Sequence, residues 1–155
     1  IVTGDLQYKG FNNNLIVRGN AVYGNLGASG ALTTINNSSS AASGYPNTTV
    51  AQNAVSYGGE AGYNIGSFFH SKAPRIYPFI RYEYYNPMEK TEANTGLLAD
   101  KRFQVSAVTA GLNYYALPNL VIKADYTHRS IGGGKYNDEN LVSVGIAYIG
   151  WFIKK

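Results

Sequence analysis

The sequence predicts an all-β chain of about seven antiparallel strands, and three observations predict it. Apolar and polar residues alternate with period 2 in seven separate stretches. Turn-forming residues bound these stretches, and the connections between them alternate in length. The Lys and Glu side chains with which a soluble domain covers itself are scarce. The end of the chain, "NLVSVGIAYIGWFIKK", displays the alternation: Val142, Val144, Ile146, Tyr148 and Phe152 fall on one parity, and Ser143, Gly145 and Ala147 on the other.

The strands follow in order. Residues 3–9 form a short first strand. In 15–26, Leu15, Val17, Ala21 and Tyr23 oppose Arg18 and Asn20. In 50–65, Val55, Tyr57, Ala61, Tyr63 and Ile65 oppose Ser56, Glu60 and Asn64. In 75–86, Ile76, Pro78, Ile80, Tyr82 and Tyr84 oppose Tyr77, Phe79, Arg81, Glu83 and Tyr85. In 102–115 the polar parity switches near Val108, which marks a bulge or a misplaced boundary. In 119–130, Leu120, Ile122, Ala124, Tyr126 and His128 oppose Val121, Lys123, Asp125, Thr127 and Arg129. The last strand is 140–152. No amphipathic helix competes with these segments. Thr91 to Ala99 comes nearest, but it is short and holds Gly96.

The connections 10–14, 66–74 and 116–118 are short or medium. Those at 27–49 and 87–101 are longer, the first of them a low-complexity loop, and 131–139 is medium, equal in length to 66–74. Short turns on one side and longer loops on the other are the habit of outer-membrane barrels. With the C-terminus on the periplasmic side, 27–49, 87–101 and 131–139 lie outside.

Composition narrows the class further. The 155 residues suit one domain. Cysteine is absent, which excludes a disulfide framework and thiolate metal ligands. Thirteen Lys and Arg against 9 Asp and Glu leave +4, but the charges are scattered. A nucleic-acid partner would call for a clustered basic stripe, so none is expected. The chain holds 14 Tyr and 18 Gly with only 14% charged residues. Tyr, with an apolar body and a polar tip, suits a membrane–water boundary.

The longest near-continuous apolar run, Val144 to Ile153, would cover only about 15 Å as a helix, against about 30 Å of hydrocarbon. As a tilted strand, about 9–11 residues suffice. A β-sheet in lipid must close on itself, because unpaired edge groups are not tolerated there. The expected fold is therefore an antiparallel transmembrane β-barrel. The chain begins with Ile1 rather than Met and carries no signal peptide, so it reads as a processed chain or a fragment.

The ending resembles the C-terminal assembly signal of bacterial outer-membrane barrels, in which a terminal Phe follows alternating hydrophobic residues. Phe152, Tyr148, Ile146 and Val144 match that pattern. Gly150 takes a position that is usually hydrophobic, and Ile153, Lys154 and Lys155 follow the Phe. The stretches "YPFIRYEYYNPMEK", "AGLNYYALPNLVIKADYTHRS" and "NDENLVSVGIAYIGWF" resemble the C-terminal strands of porins. The phosphate-selective porin O and P type is the nearest group, over roughly residues 50–155. The resemblance implies that residues 1–155 are the C-terminal part of a single barrel of roughly 16 strands. It also implies a passive channel for small hydrophilic or ionic solutes, with no catalytic step and no cofactor. Its partners would be the lipid bilayer, lipopolysaccharide, the outer-membrane assembly machinery and two further copies in a homotrimer.

On this reading Arg18, Glu60, Arg81, Glu83, Lys123, Asp125 and Arg129 line the pore. Their signs nearly balance, so no strong anion preference follows. A wall in which these charges simply pair with one another is the plainer account. Val142, Val144, Ile146, Tyr148 and Phe152 face lipid. Tyr23, Tyr57, Tyr63, Tyr82, Tyr84, Tyr114, Tyr126, Tyr148 and Trp151 form interface girdles, where a soluble sandwich would use them as core.

Two alternatives compete with the channel. One is a small structural or adhesive barrel without a pore. The other is an eight-stranded enzyme, because His128, Ser130 and Glu139 are similar to the His, Ser and Glu of outer-membrane lipid A deacylases. Glu139, however, falls on the opposite parity of its strand. "GGGK" at Gly132 to Lys135 lacks the spacing and the Ser or Thr of a phosphate-binding loop. Asp138 and Glu139 are a candidate pair for a divalent cation at the lipopolysaccharide surface, with a solvated loop as the simpler account. No resident metal is expected.

Overall fold

In the computed structural model, residues 1–43, 49–69, 74–92 and 98–148 are described, with backbone alone for 39–43. Seven antiparallel strands form one sheet in sequence order. They are Val2–Gly10 (β1), Leu15–Asn25 (β2), Asn53–Tyr63 (β3), Arg75–Lys90 (β4), Val105–Leu117 (β5), Leu120–Ile131 (β6) and Asp138–Tyr148 (β7). Each pairs only with its chain neighbours, and β1 and β7 are not joined. The sheet is open. No helix among the described residues is long and apolar enough to cross a membrane.

The register carries the predicted alternation through every strand. Arg18 stands opposite Glu60, Glu60 opposite Arg81, Arg81 opposite Thr109, and Thr109 opposite Thr127. Opposed residues share a face, so these pairings define a polar face. The other face carries, in line, Tyr8, Val17, Ala61, Ile80, Ala110, Tyr126 and Val142. A parallel row holds Ile76, Tyr114, Ile122 and Ile146.

This apolar face has no protein cover. Val142, Val144 and Ile146 are 77%, 75% and 73% exposed, and only Val105 and Val121 are buried hydrophobic side chains among the described residues. A soluble sheet reverses those proportions. Tyr rings gather on the same face. Tyr57 stacks on Tyr84 at 5.0 Å near the long connections, and Tyr63 on Phe68 at 5.4 Å near the short ones.

The short-turn end is knitted by one amide. Phe11, Asn12 and Asn13 turn the chain at φ 50, 56 and 66°, a left-handed conformation that Asn tolerates and Phe rarely adopts. Asn64, only 7% exposed, secures that turn to two other strands. Its backbone N–H donates to the Asn14 carbonyl at 2.8 Å, and its side-chain amide to Asn14 Oδ1 at 3.0 Å. Its own Oδ1 accepts from the Ile76 N–H at 3.1 Å.

Four expectations are corrected. First, the 27–49 connection is not all loop: Ser29–Ser43 form a helix (α1). The Glu92 carboxylate accepts from the Gly30 N–H and the Ser29 hydroxyl, so an acid from a distant segment caps the helix start. Second, β4 runs through Pro87 to Lys90. The strand tolerates a proline there because the register with β3 shifts between Asn53 and Val55. Third, β5 begins at Val105. Lys101–Phe103 instead form a 3-10 turn in which the Asp100 side chain accepts from the Arg102 backbone N–H. Arg102 and Phe103 therefore do not belong to the strand, and the parity switch near Val108 disappears. Fourth, the irregularity in β5 falls between Tyr115 and Leu117. Phe152, Trp151 and the rest of the final segment lie outside the described residues.

Asn64→Ala leaves the Ile76 N–H and Asn14 Oδ1 without their partner in a buried site. We expect a loss of about 1–3 kcal/mol, read as a lower urea midpoint of the folded protein. An unchanged midpoint would remove Asn64 from the network that holds the short-turn end.

Candidate functional site

The polar face is concave. A single hollow of about 510 Å³ is lined by residues from five consecutive strands, from Ile16 on β2 to Lys123 on β6. All seven residues read from the sequence as lining stand on this face: Arg18, Glu60, Arg81, Glu83, Lys123, Asp125 and Arg129.

Its centre is a shared carboxylate. Arg81 Nε donates to Glu60 Oε2 at 2.9 Å, and Arg81 Nη2 donates to the same oxygen. From the other side, Arg18 Nη1 lies 3.7 Å from Glu60 Oε1. Glu60 can serve both because β3 runs between β2 and β4, with Arg18 and Arg81 directly opposite it. Its side chain is 19% exposed, against 57% and 42% for the two Arg. The acid is thus held at the wall while the guanidinium groups extend into the hollow. On the next two strands Thr109 and Thr127 hydroxyls meet at 2.8 Å and continue the row.

Toward the long connections a second row contains Asp5, Asn20, Gly58, Glu83, Arg129 and Glu139. Here Gly58 makes room. A Cβ at that position would come within 3.1 Å of both Asn20 Oδ1 and the Tyr82 carbonyl. Arg129 donates to Glu139 at 2.7 Å and to the Tyr85 hydroxyl at 3.1 Å. Toward the short turns lie Phe79, Asp125 and Lys123. The result is a wall of fixed, mixed charge. It can hydrate ions of either sign, but it brings no acid, base and nucleophile together.

The alternative catalytic set is not assembled. Glu139 is on the polar face with Arg129, while His128 and Ser130 are on the apolar face. The Ser130 hydroxyl donates to Asp138 at 2.7 Å, and His128 Nδ1 lies 2.9 Å from Asn140 Oδ1. Asp138 and Glu139 project to opposite faces, so they do not converge on one cation. No cluster of metal ligands occurs among the described residues.

Sequence reasoning gave the charges but passed over the aromatic part of the hollow. Tyr77, Phe79 and Tyr115 stand on the polar face. Their signal was present in "IYPFIRYEYY", where Tyr77 and Phe79 share the parity of Arg81.

A double-mutant cycle tests the central pair. Glu60→Gln, Arg81→Gln and the double variant should give a coupling of about 1 kcal/mol, discounted for partial exposure. Single and double losses that simply add would show that the two residues sit together without supporting the wall.

Compared with models of protein families, with curated proteins and with solved structures, the chain has no match.

Proposed function

We propose that this chain is part of the wall of an outer-membrane β-barrel channel, a passive path for small hydrophilic or ionic solutes. The observation that carries the reading is a two-faced sheet without a core: one face uncovered and apolar, the other concave and charged. β7 spans 11 residues from Asp138 to Tyr148, or about 33 Å of strand. A tilt of about 40° lays that length across about 25 Å, the height of the apolar band of such barrels. Asp138, Ser130 and Ser106 mark the polar end on the lipid-facing side. Lipid then covers Val142, Val144, Ile146 and Tyr148, and lipopolysaccharide meets the longer connections.

Closure follows from strand direction. β1 and β7 both run from the long-connection end to the short-turn end, because the five strands between them make an even number of reversals in the meander. They cannot pair antiparallel with each other. An odd number of further antiparallel strands completes an even barrel. One further strand gives a barrel filled by side chains; nine give sixteen strands and a channel. We favour the larger number on the resemblance that the strand and turn pattern of residues 50–155 bears to porins of the phosphate-selective type, a family of roughly 16 strands.

Two measurements test this reading. Ile146→Arg places a charge on the lipid side at mid-height and should cost about 2–4 kcal/mol in folding into bilayers. Insertion equal to the parent's would mean that this face does not meet lipid. The full-length barrel should also conduct ions in a planar bilayer. Lys123→Glu, at a position without an ion-pair partner among the described residues, should shift selectivity toward cations. The shift should shrink at 1 M salt, where the screening length is about 3 Å. A folded barrel without conductance would refute the channel.

A further inference from the structure

The aromatic part of the hollow borders the ion-pair wall: the Arg81 guanidinium lies 5.8 Å from the Phe79 ring centroid and the Arg75 guanidinium 4.8 Å from that of Tyr115, which leaves the rings' remaining edges and faces to the hollow. Tyr77 and Phe79 on β4 and Tyr115 on β5 form a strip on the polar face, each ring half-buried. Tyr77 and Tyr115 meet edge to face, with centroids 5.8 Å apart. The Phe79 ring lies over Gly111, where a Cβ would come within 2.7 Å of two ring carbons. On the β3 side Gly62 clears the space beside the Phe79 Cβ, at 3.3 Å. Glycines on both neighbouring strands thus let the ring settle into the wall.

Alongside the strip stand Asn113, Lys123 and Asp125. None of the three has a hydrogen-bond or ion-pair partner among the described residues, and all line the same hollow as the rings. Its volume, about 510 Å³, falls in the range of small-molecule sites.

The chemistry of this surface discriminates among ligands. A free anion would meet Asp125 and Glu83 as well as Lys123 and Arg81, and would make no use of the rings. A cation meets the same balance in reverse. An apolar molecule would suit the rings but leave Asn113, Lys123 and Asp125 facing it unpaired, which is costly. The surface is matched by an uncharged ring with one C–H face and a rim of hydroxyls. The C–H face, slightly positive, packs on the negative face of an aromatic ring. Hydroxyls donate to Asp125, accept from Lys123, and do both with Asn113.

We propose that the Tyr77–Phe79–Tyr115 strip, with Asn113, Lys123 and Asp125, is a binding site for a neutral saccharide. The proposal rests on the channel reading only in requiring that this face be open to water.

The test uses the full-length protein folded in an amine-oxide detergent, which carries no sugar. Maltotriose is the probe, followed by saturation-transfer NMR and titration calorimetry, with inorganic phosphate as the comparison. We expect saturable maltotriose binding with a dissociation constant of roughly 1 mM. Phe79→Leu keeps apolar bulk over Gly111 and removes the π face, so it should weaken binding roughly 3- to 10-fold without unfolding the protein. Asn113→Ala, which removes a donor and acceptor beside the strip, should also weaken binding. Three results would overturn the site: no saturable binding, binding indifferent to Phe79→Leu, or phosphate displacing maltotriose from these residues. Conductance of the same preparations separates the two readings. A conducting barrel that ignores maltotriose loses the saccharide site alone. A non-conducting barrel that binds it keeps the site and loses the channel.

Discussion

The backbone ladder is the constraint on which the rest of this structure depends. From β1 to β7 the pairing is antiparallel between chain neighbours, with register shifts only near Asn53 and near Tyr115. Because side chains alternate, one register fixes the face of every residue, and a slip of one would exchange the faces entirely. The polar face carries the locks against such a slip. Glu60 with Arg81, Thr109 with Thr127, and Arg129 with Glu139 are each directly opposed and bonded across a strand pair. A one-residue slip at the first pair, for example, would set Glu60 opposite Ile80 or Tyr82 and Arg81 opposite Gly59 or Ala61. Cross-strand pairs of this kind contribute modestly each, about 0.2–1 kcal/mol, but they agree along the whole sheet.

The ladder also explains how a chain with two buried apolar side chains among its described residues holds a regular structure. In water, burial of apolar surface supplies most of the free energy that offsets chain entropy. Here that surface is on the outside, and the proposed bilayer takes the part that a core would play. Lipid in turn makes the ladder more demanding, since no water is available there to satisfy an open N–H or carbonyl. Edge strands β1 and β7 are the places where that demand is unmet within the open sheet. The uncovered apolar face and the two free edges are together what the proposed closure in a membrane would answer.

Strand periodicity was legible in the sequence because each strand borders two unlike environments. That condition prints polarity at period 2, as in Ile122, Ala124 and Tyr126 against Lys123, Asp125 and Thr127. All seven strands and the two faces of the sheet came through; the alternation of connection lengths holds only in part, since six residues join β6 to β7 and eleven join β3 to β4. What stayed hidden depended on distant partners or on backbone detail. Ser, Thr and Asn in α1 are weak helix formers, and the capping acid is Glu92, 62 residues from Gly30. Pro87 argued for an early end to β4, but the shifted register at Asn53 accommodates it. Asn64 looked like an ordinary polar-parity residue, though its amide joins three strands. The aromatic strip was obscured because Tyr and Phe on a polar parity read as packing until Gly62 and Gly111 are seen beside Phe79.

Near-neutral composition does not make the polar face neutral at every height. In the middle row Glu60 is shared by Arg18 and Arg81, which leaves one net positive charge there. The side chains without an ion-pair partner lie to either side of that row. Asp5 and Glu83 are one step toward the long connections, while Lys9 and Lys123 lie toward the short turns with Asp125 as the one acid among them. Arg75, over the Tyr115 ring at 4.8 Å, adds to the second group. At physiological salt the screening length is about 8 Å, shorter than the roughly 20 Å that six residues of strand span between Glu83 and Tyr77. Each end of the wall therefore presents its own sign of charge. Counting charges over the chain averages that separation away, whereas the register keeps it.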